Sequence, residues 1–185
     1  MNPPNTSREE IMRVSRKIVS EKGLPALNMR ALAKECGIAL GTLYNYYSDK
    51  DELVVAAIES VWQDILEKSA PDSGVSFSQY VTQTYAHIIE KLKDYPDFLA
   101  AHSISVAGSV KGKARGMMER CFGKIRSELH EVLQNDKNVD RSVFSDIFCE
   151  ENLIEHVLDN IIILIIKGKP DCATLTEILD RLLYR

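Results

Sequence analysis

Eight consecutive residues of the 185-residue chain, Leu40-Gly41-Thr42-Leu43-Tyr44-Asn45-Tyr46-Tyr47, carry five uncharged hydrogen-bonding side chains. At helical spacing only Leu43 and Tyr47, four apart, fall on the inward side. Thr42, Tyr44, Asn45 and Tyr46 are left facing out, a poor surface unless it meets a partner. An asparagine amide can bond adenine bidentately, and tyrosine and threonine hydroxyls can donate to phosphate. Gly41 carries no side chain, so the backbone there can approach a partner closely. The chemistry on offer is the reading of a nucleic-acid duplex, not the making or breaking of bonds.

Bond-making constellations fail on their spacing. His130-Glu131-Val132-Leu133-Gln134 ends in Gln where a zinc-binding helix needs a second His, so no metal site is expected. Gly108-Ser109-Val110-Lys111-Gly112-Lys113-Ala114 is one residue short of a P-loop. It also puts Ala114 at the magnesium-binding hydroxyl and follows no strand, so it reads as a basic inter-helix loop. No Ser/His/Asp or Cys/His arrangement is present locally, and neither an enzyme nor a cofactor is expected. Cys36, Cys121, Cys149 and Cys172 are widely spaced and read as reduced thiols, mostly buried.

The elements that must hold the eight residues in place are legible around them. Ser7-Arg8-Glu9-Glu10 is a capping box opening a first helix that ends at Gly23. Asn28 caps a second, short helix, which Gly37 stops. After the tight turn Gly37-Ile38-Ala39 a third helix runs to about Tyr46. Asp49-Lys50-Asp51-Glu52 then launches a long fourth. Ala33, four residues before Gly37, is small enough for two helices to approach, and Leu43, six after it, points into the angle between them. That combination is the physical minimum for a helix-turn-helix, which presents its second helix to the major groove, although a plain helical corner in a core would use the same residues.

Residues 28–53, from Asn28-Met29-Arg30 through Gly37-Ile38-Ala39 to Asp51-Glu52-Leu53, resemble the signature of the TetR family of bacterial transcriptional regulators. The resemblance spans roughly residues 8–53. It implies an all-helical homodimer that binds a palindromic operator and usually represses. It also implies that Leu40, Gly41, Tyr44 and Asn45 face the groove, that Thr42, Tyr46 and Lys50 contact phosphates, and that Arg30 is a further phosphate candidate. One departure stands out: Ala39 occupies a turn position that is often Ser or Thr, so the third helix lacks a side-chain N-cap.

The remainder reads as a larger helical bundle. Helices are expected over about 77–93, 97–106, 114–134, 141–167 and from Thr174-x-x-Glu177 to about 184, making the chain all-α with about nine helices. Residues 1–49 are expected to bind double-stranded DNA, and residues 50–185 to sense an effector and dimerise. Trp62, Tyr85, His102, Met118, Phe122, Phe148 and Asn152 are the candidate lining for a small, mostly apolar effector, although aromatic and Met residues at helical spacing equally make core. The nearly all-apolar run Ile161–Ile166 and the Leu/Ile stripe of the last helix suggest a homodimer through 141–167 and 175–184. A DNA-binding architectural or division-linked protein with a filled bundle is the rival reading.

Charge agrees with this division. The net −4 splits into +3 over residues 1–50 and −7 over residues 51–185, a basic head on an acidic body. The N-terminus has no apolar signal-like core, and Ile161–Ile166 is far short of the ~20 residues that span a bilayer. A soluble, cytoplasmic chain without membrane contact is expected.

Overall fold

The computed structural model describes residues 6–67, 74–100 and 111–184. Among them every regular element is helical. They are α1 (Arg8–Lys22), α2 (Met29–Glu35), α3 (Leu40–Tyr44), α4 (Lys50–Leu66), α5 (Phe77–Leu92), α6 (Lys111–Asn135), α7 (Glu150–Ile166) and α8 (Ala173–Leu183). Short 3₁₀ turns occupy Leu24–Ala26 and Arg141–Val143. Residues 98–100 are helical, and the rest of the helix expected to about Val106 lies outside the described residues. No helix among the described residues is long and apolar enough to cross a membrane.

The chain forms two compact units. One comprises Met1–Ile65 and Lys91–Cys121, the other Leu66–Glu90 and Phe122–Arg185. In the first, α1 buries Ile11, Val14, Ile18 and Val19 along one face, as their helical spacing dictates. Leu27, Leu32, Leu43, Tyr47 and Leu53 join them in one core, none more than 2% exposed. In the second unit, Phe77, Tyr80, Val81 and Tyr85 of α5 are buried, as are Ile125 and Leu129 of α6. Leu153, Val157 and Ile161 of α7 and Leu179 and Leu183 of α8 complete that core.

Several expected boundaries and caps differ. The helix expected over 141–167 is shorter: α7 has 17 residues, about 25 Å. The Asp140 carboxylate accepts from the N–H and hydroxyl of Ser142 (2.9 and 2.6 Å), diverting the chain into a 3₁₀ turn. Phe148 N–H donates to the Ser145 hydroxyl at 3.1 Å and Ser145 N–H to the Phe148 carbonyl at 2.9 Å, so a local turn stands before Cys149 instead of a helical ladder. At the other end Gly168, at φ +63°, closes α7 as expected, with Lys169 N–H on the Leu164 carbonyl.

The Ser7–Glu10 box is only half made. Ser7 accepts from Glu10 N–H at 3.1 Å, but the Glu10 carboxylate turns to Arg13 (2.7 and 2.8 Å). A reciprocal box occurs instead at α5, between Ser76 and Gln79, each bond 3.3 Å. Thr174 does not cap α8; Asp171 accepts from Ala173 N–H at 3.0 Å, and Glu177 pairs with Arg181. Gly23 has positive φ but extended ψ (77°, 160°), not the left-handed cap expected. Residues 111–113, expected as loop, are helical, extending the helix expected from 114 toward the N-terminus.

Candidate nucleic-acid interface

α2 starts where Asn28 Oδ1 accepts from Ala31 N–H at 3.0 Å. It ends through Gly37, at φ +66°, which lets Ile38 N–H return to the Ala33 carbonyl at 3.0 Å. α2 packs on α1 and on α3, and Ala33, 4% exposed, gives the close approach its small side chain requires. α3 begins at Ala39, which supplies no side-chain cap. Leu43 is fully buried and Tyr47 is 2% exposed, so these two side chains fasten α3 to the unit.

The other face of α3 is turned outward. Tyr44 is 49% exposed, Gly41 and Asn45 are exposed, and Leu40, Thr42 and Tyr46 are half-buried. A methyl group added at Gly41 would meet no atom of the chain within 4 Å. Packing within the chain therefore does not demand glycine there, whereas close approach of an outside partner would.

Arg30 on α2 and Lys50 at the first position of α4 are both exposed. Lys50 stands in a well-built N-terminus: Asp49 Oδ1 accepts from Glu52 N–H (2.8 Å) and Glu52 Oε2 from Ser48 N–H (2.7 Å). The Ser48 N–H, then its hydroxyl, hold the Glu52 carboxyl below its ordinary pKa.

Ion pairing sorts the eight cations of residues 1–50. Arg13 pairs with Glu10, Arg16 with Asp64, Lys17 with Glu21 and Lys22 with Glu35. Arg8 lies over the Tyr47 ring, 5.1 Å from its centroid. Burial, against the pull of Arg8, raises the Tyr47 phenol. Among the described residues Arg30, Lys34 and Lys50 make no ion pair, and all three flank α3 in sequence. Two features escaped sequence reasoning. Lys34 is part of this unpaired set, and the Tyr46 hydroxyl donates to the Thr6 carbonyl, 40 residues away. No local pattern signals that second contact.

Of the expected effector residues, Trp62 belongs to the first unit and Tyr85, Phe122, Phe148 and Asn152 to the second. Trp62, in the first unit, is 4% exposed and meets Phe98 edge-on, centroids 5.7 Å apart. In the second unit Tyr85 is 1% exposed and donates its hydroxyl to the Lys169 carbonyl at 2.7 Å. Phe122 is buried, and exposed Asn152 donates to the Ile147 carbonyl at 3.0 Å. Phe148 stacks on Phe144 and lines a groove of about 570 Å³ formed by α7, the 169–172 segment and α8. His102 and the Met118 side chain lie outside the described residues.

Comparison with known proteins singles out the same segment. Residues 11–57 match the family of bacterial regulatory proteins described as the tetR family. An uncharacterised HTH-type transcriptional regulator of Haemophilus influenzae is 33% identical over 95 residues, half of each chain. The HTH-type transcriptional regulator UidR of Escherichia coli K12 is 32% identical over 79 residues, 42% of this chain and 40% of that one. The chain thus spans about half or less of the curated relatives it matches. Among solved structures, BioQ with its double-stranded DNA operator aligns over 89% of this chain and 88% of its own, with a TM-score of 0.61 and 16% identity. A TetR-family protein from Vibrio parahaemolyticus aligns over 97% and 100%, with a TM-score of 0.51 and 16% identity. These two likenesses establish the fold.

Proposed function

We infer that this chain is a DNA-binding transcriptional regulator of the tetR type, the family that its residues 11–57 match, working as a ligand-responsive repressor. The observation that carries the reading is α3: fastened by Leu43 and Tyr47, it turns Gly41, Tyr44 and Asn45 outward. Leu40, Gly41, Tyr44 and Asn45 address base edges in the major groove. Thr42, Lys50 and Arg30 address phosphates, and Tyr46 does so once its hydroxyl leaves the Thr6 carbonyl. BioQ, of the same fold, was solved on a DNA operator, which supports a duplex as partner.

Residues 1–49 grip DNA, and residues 50–185 dimerise and sense. Ile163, Ile166, Ile178 and Leu182 of α7 and α8 are 47, 65, 55 and 37% exposed in the single chain, and a second copy would cover them. A two-fold dimer would set its α3 helices about 34–36 Å apart on a palindrome. Effector binding would alter that spacing and with it operator affinity. Such a protein works in the cytoplasm, where its operator is.

One observation favours the rival, a DNA-binding protein with no small effector: among the described residues of the expected lining, only Phe148 borders the α7–α8 groove. Selection of random duplexes by the purified chain tests the reading, since a recovered palindrome establishes partner and symmetry together. If no sequence is enriched, sequence-specific regulation is refuted.

A further inference from the structure

One turn of α4 in the first unit is held by three other segments of that unit. Arg16 of α1 donates to the hydroxyl of Ser60, itself 4% exposed, at 2.6 Å, and its Nε lies 3.7 Å from Asp64 Oδ1. The second oxygen of the same carboxylate accepts from the Tyr95 hydroxyl at 2.8 Å, and Tyr95 is 6% exposed. One residue earlier, the Asp94 carbonyl accepts from the Ser20 hydroxyl of α1 at 2.6 Å. Arg120 of α6 grips Glu59 bidentately, at 2.8 and 3.0 Å.

Asp64 is therefore a fork, one oxygen toward α1 and the other toward the 94–95 turn. Segment 91–121 lies far beyond the family-matching residues 11–57, yet it shares a compact unit with them. The Arg16 and Asp64 side chains are each about one-third exposed (30 and 31%), where an ion pair adds little to stability. The directional bond from Arg16 to the Ser60 hydroxyl, with the Asp64 carboxylate beside it, supplies instead a fixed register of α1 on α4. α2 packs on α1 and α3 on α2, so that register is passed to the reading helix.

We propose that Arg16, Asp64 and Tyr95 form a positioning triad through which the 94–95 turn sets the orientation of α3 for specific DNA recognition. The proposal rests on the DNA-binding reading above and names where control enters the head. None of the three is a DNA contact. Loss of the triad therefore lowers affinity for the right sequence and leaves general attraction to the polyanion intact.

The test compares Tyr95→Phe, which deletes one hydroxyl, with Tyr80→Phe in the second unit. Tyr80 donates to Glu128 at 2.7 Å, so the two changes are matched chemically. The first readout is affinity for a duplex selected by the native chain, relative to a scrambled duplex of equal length. Tyr95→Phe should lower that ratio about tenfold with the salt slope unchanged, and Asp64→Asn should do the same. Tyr80→Phe should move it by less than about twofold. The second readout needs no DNA: amide exchange across α3 of the free chain should quicken in Tyr95→Phe and not in Tyr80→Phe. Equal effects of the two variants, or no effect of Tyr95→Phe in either readout, would overturn the triad. Failure of the native chain to select a duplex overturns the DNA-binding reading instead, and the exchange comparison still decides the triad's hold on α3. If Asp64→Asn does not fold, Ser20→Ala, which frees the Asp94 carbonyl, replaces it with the same expected outcome.

Discussion

Ile166→Asp together with Ile178→Asp puts two charges on apolar surface that, on our reading, a second copy covers. Burying an isoleucine or leucine fully is worth about 1.5–3 kcal/mol. Ile163, Ile166, Ile178 and Leu182 average roughly half exposure, so each offers about 1 kcal/mol. An isologous interface counts every position twice, for a gross gain of about 8–10 kcal/mol before the entropic cost of association. Leu164 and the groove it lines would add further burial, and a dimer at about micromolar concentration requires that this burial offset most of the entropic cost. Two aspartates per chain remove about half of that gain and leave four charges to be desolvated. Sedimentation velocity at roughly ten micromolar should then show the native chain as a dimer and the variant as a monomer. Far-UV dichroism should not change, because both residues are already exposed in the single chain. A variant that sediments like the native dimer would refute α7 and α8 as the interface, and a native chain that stays monomeric would refute the dimer.

Three further outcomes follow from particular contacts. Lys50→Ala should weaken binding to all duplexes and reduce the salt slope by about one per subunit, whereas Asn45→Ala should relax sequence preference at an unchanged slope. Fluorescence anisotropy across a salt series reads both. Asp136, 6% exposed, accepts from Phe77 N–H (2.9 Å), Tyr184 hydroxyl (2.6 Å) and Asn138 N–H (3.0 Å). Burial pushes its pKa up, but these bonds and Arg141 outweigh it and hold the carboxyl below its ordinary value. Its stabilisation is therefore complete above about pH 4 and is lost as pH falls through the lowered folded value. Asp136→Ala should cost about 2–4 kcal/mol at pH 7 in urea unfolding, with a flatter acid limb. Ala39→Ser should add about 1 kcal/mol by capping α3, measurable as a raised Tm.

The head was legible because its signals are local. Asn28, Gly37 and Leu43 each act within a few residues, so spacing alone placed the cap, the turn and the buried anchor. The body was less legible where side chains compete for the backbone. Nothing in Arg141-Ser142-Val143 forbids a helix; the Asp140 carboxylate, by taking the Ser142 N–H, does. Glu10 had the right spacing to return to Ser7, but Arg13 offered its carboxylate two charged donors. Asp64 joins residues 48 positions before it and 31 after it, and Tyr46 meets Thr6, pairings that no periodicity encodes. For the aromatic residues expected to line a pocket, burial alone does not separate pocket from core. Helical spacing says that Trp62, Tyr85 and Phe122 face inward, not what they face.

Trp62 is the one tryptophan in the sequence, and it lies in the first unit, edge-on to Phe98. The chain therefore carries a native optical probe confined to the unit that holds the reading helix. Emission excited selectively at the indole reports that unit alone, whereas dichroism averages over every helix. Melting the protein under both probes measures whether the reader comes apart with the rest of the chain or on its own.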